Sequence, residues 1–420
     1  MKLLLLSQFY PPIGGGQAGH VQSLARAMAA RGHSVAVATI GTEGSGGDDG
    51  MVRVHRLHST VQHFPFLFSD VRRPYAPPLP DPGLVAGLRR VVERERPDLI
   101  HAHDWTVHSA LPMARRYGAS LLLTLHDYGH ACATKRLMLH GKAICPGPAP
   151  SRCLGCAAHH YGPVVGAGTA VATMAFRRSR ERRLDGVIAV SAAVALGSGL
   201  DRGRVPFQVI PNFLPDGVWE AGGDRGAPAE PFPAEPFILF VGDLVADKGL
   251  DVLLTAYRTT AGLPPLVLIG RRVRRTPTDL PEGVRMMQDC PHSMVMRGLH
   301  SCTVAVAPSV WPDPCPTAVL EAMAAGCPLV TTPVGGITDM LTPEENALMV
   351  PAGDATALVT ALVRLCHSPD LRERLGRAAR ERASLFTAAM ILPRIEAAYE
   401  AALGDRGVAS APAQLIEDLW

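Results

Sequence analysis

Lysine is scarce in this chain: Lys2, Lys135, Lys142 and Lys248 are the only four, and arginine supplies the rest of its 41 basic residues. Coding bias alone produces such ratios, yet a lysine in a loop stands out against an arginine background. Long apolar runs are also lacking. The N-terminal KLLLL is too short for a signal-peptide core or a membrane span, and it reads as the buried first strand of a cytoplasmic protein. The net charge of +3 over 420 residues is small, which removes the electrostatic footprint that a nucleic-acid partner demands. No repeat with a period of roughly 20 to 50 residues is present, which excludes a solenoid or a propeller. The nine cysteines come without an export signal, so a disulfide framework is not expected; packing, metal ligation or reactive thiols must account for them.

What the chain does have is alternation. The short apolar runs KLLLLS, SVAVATI, DLIHAH, SLLLTLH and GVIAVS are separated by helical patterns, the first of them from His20 to Arg31. Such alternation predicts parallel strands joined by crossover helices. After FQVIPNF the composition turns to Gly, Pro, Ala and acids, and residues 216–236 read as an interdomain linker. A second series follows, FILFVG, PLVLIG, VRMMQ, CTVAVAPS and PLVTTP, with helices expected over Val319–Ala325 and Ala355–Cys366. The fold class predicted is α/β: two Rossmann-like, doubly wound domains facing across a cleft, residues 1–215 and 237–390, with a helical tail, 391–420, crossing back to the first. In such folds ligands bind beyond the carboxyl ends of the strands, so chemistry belongs in the loops that follow them.

The loop PPIGGGQAGHV holds a literal G-x-G-x-x-G at Gly14, Gly16 and Gly19. Pro11 and Pro12 stand between strand and glycines, and no acid closes SVAVATI, so a dinucleotide fingerprint fits poorly. A backbone-lined approach to an anion, or a plain flexible turn, fits better. In the second domain three loops converge. FVGDLVADKG brackets Lys248 between Gly242 and Gly249 at the mouth of a helix; LIGRRVRRTP places Arg271 and Arg272 directly after a strand; PSVWPDPCPTAVLEAMAAGCPLVTTPVGG sets Asp313 and Glu321 across a Pro-rich loop and a helix start. Helix N-termini and guanidinium groups stabilise phosphate oxygens, and a carboxylate accepts from sugar hydroxyls. Together they suit a nucleotide diphosphate bearing a sugar. Taken singly, Glu321 could serve a helix dipole and Asp313 could cap its loop.

These segments, with HVQSLARAMAARGHSVAVAT, HAHDW, TLHDY, VIAVS and VIPN, make the chain resemble the retaining glycosyltransferases of family 4, of GT-B fold, over nearly its whole length. The E-x7-E pattern of that family appears as D-x7-E, Asp313 and Glu321. The resemblance implies that Lys248 contacts the donor diphosphate, Glu321 the ribose hydroxyls, and Asp313 the donor sugar. It implies that His126 stands near donor sugar and acceptor, and that Gly14, Gly15 and Gly16 bring backbone amides to the substrates. His103, Asp127, Gly242 and the helix start Thr317, Ala318 and Val319 are further implied contacts. The family usually has an arginine where this chain has Asp243. Either Asp243 points away, or it binds an arginine that acts in its place, with Arg271 and Arg272 as candidates. The implied reaction is transfer with retention from a nucleotide-sugar donor, a UDP-sugar favoured, to a hydroxyl acceptor, with no cofactor required for catalysis and no covalent glycosyl-enzyme. A sugar-nucleotide-binding subunit that has lost activity and a GT-B epimerase are the alternatives.

Four cysteines, Cys132, Cys145, Cys153 and Cys156, cluster just after His126, the last two as C-x2-C. A structural zinc that staples an otherwise irregular excursion, free thiols, and disulfides are the three readings. The run TMAFRRSRERRLDG concentrates arginines between Arg177 and Arg183 and is either a contact with anionic lipid, giving a peripheral membrane location, or a solvated face. HFPFLFSD, residues 63–70, is a membrane or acceptor contact or core. His101, His103 and His108 are expected to pack, with His103 as a second candidate for the cleft. Asp48 and Asp49 are expected to be solvated.

Overall fold

A computed structural model describes residues 1–42, 46–65, 73–215, 217–218 and 231–404. It divides into two units, Met1–Asn212 with the segment from Ile391 onward, and Phe213–Met390. Of the expected linker, 216 and 219–230 lie outside the described residues, as do 405–420 of the tail and 66–70 of the aromatic stretch. Phe232, inside the expected linker, is instead buried and stacks on Phe237 with ring centroids 5.5 Å apart.

The first unit contains β1 Lys2–Ser7, β2 Ser34–Ile40, β3 Gly47–Asp49, β4 Val52–Leu57, β5 Leu99–Ala102, β6 Ser120–Leu125, β7 Met138–Leu139, β8 Ala143–Ile144, β9 Gly186–Ala189 and β10 Phe207–Val209. Eight of these form one sheet in the order β10-β9-β6-β5-β1-β2-β4-β3, while β7 and β8 pair as a separate hairpin. All neighbours in the large sheet run parallel except β3 against β4. Leu3, Leu4, Leu5 and Leu6 of β1 are all buried, so both faces of this strand are covered and the run is continuous rather than alternating. The second unit carries β11 Ile238–Val241, β12 Leu266–Ile269, β13 Val284–Met287, β14 Val304–Ala307, β15 Leu329–Thr331 and β16 Leu348–Met349, in the order β13-β12-β11-β14-β15-β16, all parallel. Its core joins Ile238, Phe240, Leu266, Leu268, Val304 and Val306 to Leu253, Leu254, Leu358 and Leu362 of the covering helices.

In each sheet the order reverses at the first strand of the unit: β1 has β2 on one side and β5 on the other, and β11 has β12 on one side and β14 on the other. The loops after β1 and β5, and those after β11 and β14, therefore flank a crevice at the carboxyl edge, where ligands bind in doubly wound folds. The glycine loop, HAHD, the Lys248 loop and the Asp313 loop all stand at these reversals.

Three local expectations need correction. The first helix spans Gly16–Ala30, starting four residues before His20, because Gly15 at φ 131° ends the loop where no side chain fits comfortably. The excursion after β6 is not irregular: it folds into the β7–β8 hairpin and helices Pro150–Tyr161 and Pro163–Glu181. Asp49 is not solvated; it receives Tyr10 Oη at 2.7 Å, Gln22 Nε2 at 2.9 Å and the Arg26 guanidinium. These partners, led by Arg26, hold its carboxyl at about 2 against the burial that would raise it.

The final helix, Ala388–Gly404, brings Tyr399 into the first unit, where its hydroxyl meets His101 Nδ1 at 2.9 Å while His101 Nε2 meets Thr124 Oγ1 at 2.7 Å. All three residues are buried. Tyr399→Phe is expected to cost about 1–3 kcal/mol, because it strands a buried ring nitrogen, and a denaturant midpoint measured against wild type checks it.

Candidate active site

At the reversal in the first unit, β1, β5 and β6 deliver a histidine cluster. His103 leaves β5, His126 leaves β6, and His20 sits on the buried face of the helix after the glycine loop. His103 Nδ1 and His126 Nε2 are hydrogen-bonded at 3.0 Å, and the rings of His20 and His126 stand 4.9 Å apart. The ring nitrogens of these three lie within 4.8 Å of one another. Burial dominates their chemistry: it lowers His20 to about 4 and His101 to about 3, and holds His103 and His126 well below the ordinary histidine value. All four are neutral imidazoles at pH 7, able to accept or donate a hydrogen bond without adding charge. Asp127, raised by burial, accepts from the Gly129 amide at 2.7 Å.

The glycine loop is held from outside: Arg73 Nη1 donates to Gly14 O at 2.5 Å, while its guanidinium lies 4.6 Å from the centre of the Phe9 ring. Gln17, one residue into the helix, ties β1 to β5 by donating to Ser7 Oγ at 3.1 Å and Asp104 Oδ2 at 2.7 Å. Neither Gln17 nor His20 carried a signal in the sequence beyond its place after the glycines. Lys135, one of the four lysines, lies 4.1 Å from the centre of the Trp105 ring.

In the second unit Lys248, Asp313, Asp243, Arg271 and Glu321 each have a charged or polar partner. Lys248 Nζ meets Asp313 Oδ2 at 2.5 Å, and Ser309 Oγ donates to the same oxygen at 3.3 Å. Asp313 is buried, so it faces the lysine rather than open solvent. Gly249 turns the chain here at φ 77°; a Cβ would lie 1.8 Å from Pro308 O, so only glycine lets the Lys248 loop pass the loop after β14. Asp243 is clamped by Arg271, Nε to Oδ1 at 3.2 Å and Nη2 to Oδ2 at 2.9 Å. The acid in the arginine position thus carries an arginine from the adjacent strand, and Arg272 makes no such pair among the described residues. Glu321 sits in the helix Thr317–Ala324, which begins two residues before the expected start, and its Oε1 meets His292 Nε2 at 3.0 Å. Donating this hydrogen bond to the Glu321 carboxylate raises His292, a residue that no spacing marked.

The cysteines surround the hairpin and the next helix: Cys132 precedes β7, Cys145 follows β8, and Cys153 and Cys156 occupy the first turns of Pro150–Tyr161. Burial raises the Cys153 thiol, and the other three cysteines add to the rise, so the four are electrostatic neighbours. As placed, no three of these thiols come within 4.8 Å of one another, and a tetrahedral shell would need side-chain rotation. Two of them now make weak contacts with carbonyls, Cys145 with Gly147 O at 3.4 Å and Cys156 with Met138 O at 3.3 Å.

Comparison with known proteins covers both units. The family model described as Glycosyltransferase Family 4 matches residues 14–215, and that described as Glycosyl transferases group 1 matches residues 227–382. A glycogen synthase of Mycobacterium tuberculosis is 27% identical over 412 residues, covering 91% of this chain and 90% of the relative. Among solved structures, sucrose-phosphate synthase from Thermosynechococcus elongatus superimposes with a TM-score of 0.72 at 21% identity over 95% of this chain and 98% of that one. Anabaena Alr3699/HepE in complex with UDP-glucose gives 0.66 at 15% identity over 95% and 99%. These likenesses carry the GT-B fold.

The neutral histidines set a pH response. Their folded values lie below the unfolded value near 6.5, so the unfolded chain binds more protons between the two, and stability is lost as pH falls below about 6.5. His20 at about 4, His130 at about 4 and His101 at about 3 each contribute to that window. Urea titrations at pH 7, 6 and 5 are expected to show stability falling by on the order of 1 kcal/mol or more per pH unit, with a flat profile contradicting the buried neutral cluster.

Proposed function

The chain belongs to the glycosyltransferases of family 4 and group 1, and from that premise we propose that it moves a sugar, with retention at the anomeric carbon, from a nucleotide-diphosphate donor to a hydroxyl acceptor. The observation that carries the reading is the placement of Lys248, Arg271 and Glu321 on loops and a helix start around the second strand-order reversal. A UDP-sugar is the favoured donor, supported by the UDP-glucose held by the Anabaena neighbour.

In this mechanism the acceptor oxygen attacks the anomeric carbon as the bond to the diphosphate oxygen breaks, and the departing oxygen takes the acceptor proton. The transition state resembles an oxocarbenium ion, and negative charge accumulates on the leaving group. Lys248 and Arg271 meet that charge, each released in part from the carboxylate that holds it. Asp313 sets the lysine's position from below, Glu321 accepts from the ribose hydroxyls, and the neutral His126 orients hydroxyls without competing as a cation. Asp243 acts by anchoring Arg271 through two hydrogen bonds, which keeps the guanidinium at the rim although the family's usual arginine is absent.

A thermal-shift panel of nucleotide sugars is expected to raise the melting point most with a UDP-sugar. With the donor so identified, Lys248→Ala is expected to lower kcat/KM by about a hundredfold, the loss of one transition-state cation. Arg271→Ala is expected to weaken donor binding more than Arg272→Ala; equal, unchanged affinities in both variants would end the compensation idea. Donor binding without turnover or hydrolysis across many acceptors would favour the alternative, a binding subunit. For the cysteine excursion we propose a structural zinc held by Cys132, Cys145, Cys153 and Cys156. Metal analysis of the purified protein is expected to give about one equivalent; a content near zero would reject it.

A further inference from the structure

The excursion between β6 and β9 differs from the rest of the chain in charge. Residues 126–185 hold nine lysines and arginines against three acids, Asp127, Glu181 and Asp185, whereas the whole chain nets only +3. The remainder of the molecule is therefore net acidic, and the positive charge is concentrated in one structural insert.

Within it, the helix Pro163–Glu181 is turned the wrong way for a self-contained domain. Its buried positions are Gly166, Ala170, Ala172, Thr173 and Arg180. Arg180 is fully buried, donating to His108 Nε2 at 2.8 Å and His130 O at 2.7 Å, with burial lowering it to about 10. The opposite face, at helical spacing, is Val164, Gly168, Val171 and Ala175, continuing into Arg178 and Arg182, all exposed. Val164 is 84% exposed and Val171 54%. Phe176 lies between the buried positions Ala172 and Arg180, with its ring 6.1 Å from that of buried His108, and belongs to the inward side. Arg177 is neutralised by Glu181 at 2.9 Å, whereas Arg178, Arg182 and Arg183 are exposed and make no ion pair among the described residues. A helix that hides an arginine and shows valines to water, with unpaired guanidiniums at one end of the apolar stripe, has a face built for something else.

We propose that this outward face of Pro163–Glu181 docks on an anionic lipid bilayer, the valine stripe entering the headgroup–acyl boundary and Arg178, Arg182 and Arg183 engaging lipid phosphates. The charge complementarity selects this occupant. Valines would gain nothing on a nucleic acid, and a second copy of this helix offers the arginines no acid but Glu181, which Arg177 already holds. No helix among the described residues is long and apolar enough to cross a membrane, so attachment of this kind lies on the surface. The proposal concerns attachment alone and does not rest on the transfer reading.

The test is co-flotation of the full chain with vesicles of phosphatidylglycerol and phosphatidylcholine, against vesicles of phosphatidylcholine only. Wild type is expected to float with the anionic vesicles and not with the neutral ones. Arg178→Ala, Arg182→Ala and Arg183→Ala together are expected to weaken binding by about a hundredfold, roughly fivefold for each charge. Val164→Asp with Val171→Asp is expected to abolish it. Every changed position is exposed, and circular dichroism with an unchanged donor thermal shift verifies that the variants fold. Wild type that stays with neither vesicle, or variants that float as wild type does, would overturn the proposal. So would lipid-free self-association of wild type that Val164→Asp and Val171→Asp remove, since the face would then join two copies of the chain. Donor binding is read in the same samples, so loss of attachment and failure of the transferase reading are told apart.

Discussion

Parallel pairing places the carboxyl ends of all strands on one edge of a sheet, and that constraint organises the chemistry of both units. Where the order reverses beside β1 and β11, the covering helices part and adjacent loops splay to opposite sides. The glycine loop and HAHD share one reversal; the Lys248 and Asp313 loops share the other. Gly249 passes against Pro308 with no room for a side chain, so the second pair of loops is bound together before any ligand arrives.

Charge at the second reversal is balanced in pairs. Lys248 with Asp313, Arg271 with Asp243 and His292 with Glu321 each join a cationic or protonatable group to a carboxylate. The arrangement differs from a row of free cations awaiting phosphate. A carboxylate behind each cation fixes its position and lowers its desolvation cost, while an incoming diphosphate must draw part of its hydrogen bonding away. The first unit follows the opposite rule: its histidines are stripped of charge by burial, so they contribute shape and hydrogen bonds rather than field.

Much of this was legible from residue order. Continuous apolar runs marked the central strands, because a strand covered on both faces has no polar side to show, as Leu3 to Leu6 illustrate. The D-x7-E block and Lys248 were legible because loop chemistry concentrates at short spacings. Partners brought together by the fold were not. His292 reaches Glu321 from another helix, 29 residues earlier, and His20 joins His126 across more than a hundred. The arginine run misled at Arg180, because a run of like charges says nothing about which member rotates inward, and His108 with the ring and carbonyl of His130 make its burial tolerable. The Cys-rich stretch looked irregular because its strands are two residues each, too short for alternation to register.

The return of the chain at Ile391 gives the first unit an order of assembly. Translation delivers Met1–Asn212 first, yet the seat of His101 stays open until Tyr399 emerges, after all of Phe213–Met390 has left the ribosome. Domains usually close in the order in which they are made. Here the second unit can finish while the first still waits for its closing helix, so the earliest-made half of the protein is the last to be sealed.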